Sequence, residues 1–127
     1  MIYLDTSAAF KVLTEEPERQ PLVEFLDATS TEGLVTSVVT EVEMHRSAHR
    51  LSVPAALVDE VLSRLALVEM TSDIRTRAGL LPDPTLRSLD AIHIATALDT
   101  GIATFVTYDR RQAAAAADLG LRVERPC

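Results

Sequence analysis

A chain of 127 residues, 47% apolar, has the length for one domain with a single substantial core, and that apolar share excludes intrinsic disorder. Three Phe, two Tyr and no Trp leave the core to aliphatic side chains. Nineteen acids against twelve Lys and Arg give a net charge of −7, the opposite of the balance expected for a general nucleic-acid binder.

The opening "MIYLD" reads as a short buried strand that stops at an acid, and it has no basic n-region of a signal peptide. "TSAAFKVLTEE" follows as a helix with Thr6 or Ser7 as its cap. Pro17 and Pro21 bracket a new start, and "PLVEFLDA" spaces its apolar residues as a helix does. After the turn "STEG", "LVTSVV" reads as a strand running into a helix, which "TEVEMHRSAHRL" continues as far as Val53-Pro54. Pro54 suits the first turn of the next helix, "PAALVDEVLSRLAL", and "LVEMT" reads as a short strand.

"SDIRTRAGLL" is helical and "PDPT" breaks the chain. "RSLDAIHIATAL" is a nearly apolar helix with Ser88 as its cap and Gly101 as its stop. "ATFVTYD" is the clearest strand, "RRQAAAAADLG" a helix, and "LRVERP" a last short strand. This alternation predicts an α/β fold, with a parallel sheet covered on both faces, as a single domain over 1–127. No apolar run approaches the roughly 18 residues of a membrane span. The lone Cys127 allows no internal disulfide, which suits a reducing cytoplasm.

Sites in such sheets form at the carboxyl ends of the strands. Asp5 and Asp109 each close a predicted strand, Asp90 lies in the first turn of its helix, and Glu43 lies near the start of the helix after "LVTS". Four carboxylates on one edge repel, and a divalent cation such as Mg²⁺ or Mn²⁺ removes the repulsion. Metal-assisted hydrolysis of a phosphodiester is the chemistry that fits. Each acid also has an ordinary role: Asp5 and Asp109 as N-caps, Asp90 on the helix dipole, and Glu43 in a capping box with Thr40.

Four ordered segments then carry a resemblance. "MIYLDTSA", "TSVVTEVEMHRSAHR", "RSLDAIHIATAL" and "FVTYDRRQAAAAADLGLRVERP" span essentially the whole chain. In that order they resemble the PIN-domain ribonucleases, specifically the VapC toxins of bacterial toxin–antitoxin pairs. The resemblance implies a PIN-like three-layer α/β/α domain with a central parallel sheet. It also implies an acidic quartet of Asp5, Glu43, Asp90 and Asp109 that holds Mg²⁺ or Mn²⁺ and hydrolyses RNA, tRNA or rRNA among the targets. Asp5 and Asp90 would be the firmest ligands. A VapB-like antitoxin and a homodimer are the implied partners.

"TEVEMHR" offers both Glu41 and Glu43, and the family pattern, with the glutamate three residues before Arg46, selects Glu43. On a helix Glu43 and Arg46 also share a face. Thr6, Ser7 and Thr107 bring hydroxyls beside the quartet and Arg46 a charge, all as possible supports. Arg46, Arg50, Arg110 and Arg111 are candidates for phosphate contact. His45 and His49, spaced i, i+4, lack the glutamate of a zinc motif, and His93 shares a face with Asp90. The alternatives are a catalytically silent PIN-like interaction module and a receiver-type phosphoacceptor. The latter lacks its adjacent acid pair after the first strand and its lysine after the last.

Overall fold

Ile2, Tyr3 and Leu4 form β1 (Ile2–Leu4), and all three are buried because helices cover both faces of the strand. The computed structural model describes residues 1–127. After β1 come α1 (Thr6–Lys11), α2 (Arg19–Thr29), a 3₁₀ turn (Ser30–Glu32), β2 (Leu34–Ser37) and α3 (Val38–Leu51). Then follow α4 (Ala55–Leu62), β3 (Ala66–Val68), α5 (Ser72–Gly79), α6 (Ser88–Asp99), β4 (Thr104–Val106), α7 (Arg110–Asp118) and β5 (Arg122–Glu124).

All four strand pairings are parallel, in the order β3-β2-β1-β4-β5. The chain builds outward from β1 through β2 to β3, then returns to the other side of β1 with β4. The order therefore reverses between β1 and β4, and the crevice beyond their carboxyl ends is where such a sheet binds ligands.

Alternation along the strands sorts the core into two faces. Tyr3, Val35 and Phe105 meet Ile94 and Ala97 of α6 and Ala115 and Ala116 of α7. On the other face, Ile2, Leu4 and Val106 meet Ala8 of α1 and Leu22 of α2. A third cluster packs α3 and α4 onto α1 through Ala9, Met44, Ala48, Val58 and Leu62. The result is the three-layer α/β/α arrangement expected from the alternation of elements. No helix is long and apolar enough to cross a membrane.

The local assignments differ in four places. Asp5, rather than Thr6 or Ser7, caps α1, and that helix stops at Lys11 instead of running through Glu16. Residue 87, rather than Ser88, is the N-cap of α6. The helix begun after Pro54 ends at Leu62, and the strand expected at 67–71 lies at Ala66–Val68. The cap of α3 is Ser37, whose hydroxyl accepts from the Val39 amide, so Thr40 and Glu43 do not form a capping box there.

Ile94 is fully buried in the sheet-facing side of α6, whereas Leu89, five residues earlier and on another face, is 43% exposed. Ile94→Ala should cost about 2–5 kcal/mol in urea unfolding, and Leu89→Ala should stay within about 0.5 kcal/mol. Equal losses would contradict this orientation of the helix.

Candidate active site

Asp5 leaves β1 in extended conformation and turns directly into α1. It is only 3% exposed, yet it finds four donors. Its Oδ1 accepts from the Ala8 amide at 2.9 Å and the Ser7 hydroxyl at 2.6 Å. Its Oδ2 accepts from the Thr107 hydroxyl at 2.5 Å and the Gln112 amide nitrogen at 2.8 Å. Burial pushes this carboxyl up, with His93 and the surrounding donors pulling the other way. Two carboxylate oxygens offer about four lone-pair positions, so Asp5 is saturated.

Two of these hydroxyls also hold the backbone that leads to the next acid. Thr107 Oγ1 accepts from the Asp109 amide at 3.0 Å, and Ser7 Oγ accepts from the Tyr108 amide at 2.9 Å. Asp109 caps α7 through Oδ1, which accepts from the Gln112 amide at 3.0 Å. Capping and a place in the cleft are therefore compatible: Asp5 and Asp109 both cap a helix, and both line the same crevice.

Glu43 reaches the crevice from α3. Its Oε1 accepts from Thr6 Oγ1 at 2.6 Å and from His93 Nε2 at 3.1 Å. Thr6 has spent its one hydroxyl proton on Glu43, so the bonding pattern assigns the other proton to His93 Nε2. His93 Nδ1 then accepts from the Tyr3 hydroxyl at 2.7 Å. Tyr3 is locked in turn by stacking on Phe105, with ring centroids 5.2 Å apart. Burial pushes Glu43 up, but the bonds from His93 and Thr6 outweigh it and hold the carboxyl below its ordinary range.

Asp90 stands three residues after the cap of α6 and makes no hydrogen bond that would hold its carboxylate. Burial and the facing Asp109 carboxylate push it up. The only guanidinium lining the crevice belongs to Arg87, with Nε 3.6 Å from Asp90 Oδ2 and Nη2 3.8 Å from Asp109 Oδ2. The crevice has a volume of about 420 Å³ and contains Asp5, Thr6, Ser7, Glu43, Asp90 and Asp109 together.

Of the four supports named from the sequence, three stand at the site. Thr6, Ser7 and Thr107 hydrogen-bond the acids directly. Arg46 does not: it is exposed on α3, forms no ion pair with Glu43 and does not line the crevice. Arg46 shares a helix face with Glu43 but lies one turn further along α3. Glu41 is exposed outside the crevice, and Arg50, Arg110 and Arg111 are also absent from its lining. His45 pairs with Asp59 on the surface.

Sequence reasoning missed Arg87, Gln112 and Tyr3, and gave His93 only a loose connection to the site. Gln112 did leave a signal, because Asp109 and Gln112 have the spacing of a capping box. Its amide turns to Asp5 instead of back to the cap.

Residues 2–118 match the PIN domain family. The chain is 43% identical over 132 residues to ribonuclease VapC35 of Mycobacterium tuberculosis, a match covering 99% of this chain and 97% of that relative. Ribonuclease VapC47 of the same organism is 36% identical over the same shares of the two chains. Among solved structures, the VapBC2 complex from Rickettsia felis, bound to a promoter DNA fragment, matches over the full length of both chains with a TM-score of 0.77 and 16% identity. VapC20 of Mycobacterium tuberculosis, a toxin that cleaves the sarcin–ricin loop, matches with a TM-score of 0.73 and 16% identity over 91% of this chain and 95% of that one. Those two likenesses bear on the fold; the family match and the full-length identities bear on descent, and by them this chain belongs to the PIN-domain family as a VapC-type member.

Proposed function

We propose that this protein is the toxin of a toxin–antitoxin pair and acts as an endoribonuclease, hydrolysing RNA phosphodiester bonds with Mg²⁺ or Mn²⁺ at Asp5, Glu43, Asp90 and Asp109. One observation carries the reading. Asp90 and Asp109 face each other across the crevice, and the one guanidinium set against them is loosely held. A cation already sits where a divalent ion would be held. Ribonuclease activity is also what the names of the full-length relatives record, and a VapB-like antitoxin is the partner in keeping with the VapBC structural match.

The donors fit such an ion. All are hard carboxylate oxygens, the class that Mg²⁺ and Mn²⁺ select. No group of three or more acidic, imidazole or thiol side chains stands ready to hold a metal ion, so an ion here would take one or two carboxylates and keep several waters. Asp90 and Asp109 would hold it, and Glu43 lines the same crevice. Asp5 would reach it only by releasing one of its four donors, the Ser7 hydroxyl being nearest the mouth. When bound, the ion supplies Lewis acidity toward the phosphate and makes water a nucleophile at neutral pH.

The protein's own groups divide the remaining work. Glu43, kept ionised by Thr6 and His93, is suited to holding positive charge rather than to taking a proton. Asp5 fixes the ends of β1 and β4 from inside, so the outer carboxylates keep their spacing. Thr107 and Gln112 orient Asp5 and Asp109 together.

Asp90→Asn should fold and lose at least about 10²-fold in cleavage, since even outer-shell partners of a metal site are worth about 10–100-fold. The assay is incubation of total RNA with Mg²⁺ or Mn²⁺, and full activity in the variant would overturn the assignment. The same variant separates site from scaffold by its melting temperature. A carboxyl whose folded pKa is raised contributes stability below its unfolded pKa and loses it as pH rises through the folded one. At pH 7 that contribution is gone and only the repulsion remains. Metal-free Asp90→Asn should therefore melt no lower than the wild type.

Protons compete with the ion for that carboxylate. Mn²⁺ affinity, measured by calorimetry, should decline as pH falls, starting above the ordinary aspartate range of about 3.9. An affinity flat down to that range would contradict the raised pKa of Asp90. The resemblance extends the reading to a homodimer, and a sedimentation mass of one chain at micromolar concentration would sink that part alone.

A further inference from the structure

Arg87 breaks two local rules at once. It occupies the N-cap of α6 without any side-chain cap bond, at a position that favours Ser, Thr, Asp or Asn. It also brings a positive charge to the positive end of a helix dipole. A residue that goes against its local environment is best explained by what it does elsewhere. Here the side chain turns into the crevice toward Asp90 and Asp109.

Both contacts are loose. At 3.6 and 3.8 Å they are charge contacts without hydrogen-bond geometry, and the Arg87 side chain is 71% exposed. The contrast with Asp5, gripped by four short bonds, is sharp. Arg87 is held by charge alone, at the mouth, with room to swing.

We propose that Arg87 is an exchangeable cation. In the metal-free protein it neutralises Asp90 and Asp109; when a divalent ion takes those carboxylates, it turns outward and binds a phosphate of the RNA. The proposal rests on the metal-dependent ribonuclease reading above. It assigns the phosphate contact to a residue that touches substrate, in a cleft with no other guanidinium or ammonium in its lining. Arginine suits the role because its planar fork matches carboxylate and phosphate oxygens alike.

The exchange predicts effects of opposite sign from one substitution. Arg87→Gln removes a competitor of the ion and a ligand of the RNA. Mn²⁺ should bind about two- to tenfold more tightly to the variant, the size that two exposed ion pairs carry. A short mixed-sequence single-stranded RNA, followed by fluorescence anisotropy in Mn²⁺, should bind more weakly, with its salt slope reduced by about 0.7. Arg87→Lys should restore much of the RNA affinity. A merely structural arginine would move both affinities in the same direction or neither.

Unchanged or weaker Mn²⁺ binding by Arg87→Gln would overturn the exchange, as would an unchanged RNA salt slope. Wild-type protein that takes up no Mn²⁺, or an Asp90→Asn variant that binds it equally well, would instead overturn the metal reading and the exchange with it. The two failures are therefore told apart by the wild type and Asp90→Asn measured alongside.

Discussion

A buried carboxylate with every lone pair engaged holds this molecule together at its switch point. Asp5 ends β1, caps α1, and accepts from Thr107 beyond β4 and from Gln112 in α7. An unpaired charge at that depth would cost several kcal/mol, and four donors, two of them more than a hundred residues away, offset it. Hydrogen bonds to charged groups contribute about 1.5–3 kcal/mol each, and removing one leaves the charge underserved. The carboxylate thus ties four elements into one geometry that none of them could hold separately.

From that hub the crevice takes its form. Thr107 both donates to Asp5 and accepts from the Asp109 amide, so the position of the outer acid follows from the inner one. Glu43 is set independently by a second chain of bonds, running from Phe105 and Tyr3 in the core through His93 to the carboxylate. Asp90 alone is without such support. The carboxylates fixed by hydrogen bonds surround the one that is free, and the repulsion falls on the free one. Rigid framework and electrostatic tension are thereby separated within a few ångströms, the arrangement expected where a structure gives up stability for function.

The architecture was legible because it rests on periodicity and on a topological rule. Buried strands alternating with helices imply a parallel sheet, and the strand-end rule brings Asp5, Asp90 and Asp109 to one edge without any knowledge of contacts. What was not legible depends on partners distant in sequence. His93 meets Glu43 across fifty residues and Gln112 meets Asp5 across more than a hundred, so neither contact can be read from its local sequence. The caps were misread for a related reason. Asp5 and the adjacent Thr6 and Ser7 are all good caps, and only the sheet decides which residue leaves the strand first. Around Leu62–Val68 the run "LSRLALV" fits a helix and a strand alike, so the boundary between α4 and β3 went to packing. Arg46 failed because sharing a helix face with Glu43 does not say where along that face the crevice opens.

The acidic composition, which seemed to exclude nucleic acid, has a local resolution. Charges more than a Debye length apart, about 8 Å at physiological salt, are largely screened. A phosphate entering the crevice therefore responds to the residues at its mouth, not to a net charge of −7. In the metal-free protein those residues are Glu43, Asp90 and Asp109 against one guanidinium, and they repel it. On the proposed reading, a divalent cation among the same groups would remove most of that excess and would release the guanidinium as well. Metal and RNA would then be coupled positively through the same carboxylates, and by linkage each would strengthen the other's binding. On this view the acidity is the means by which an unloaded cleft turns RNA away and a loaded one accepts it.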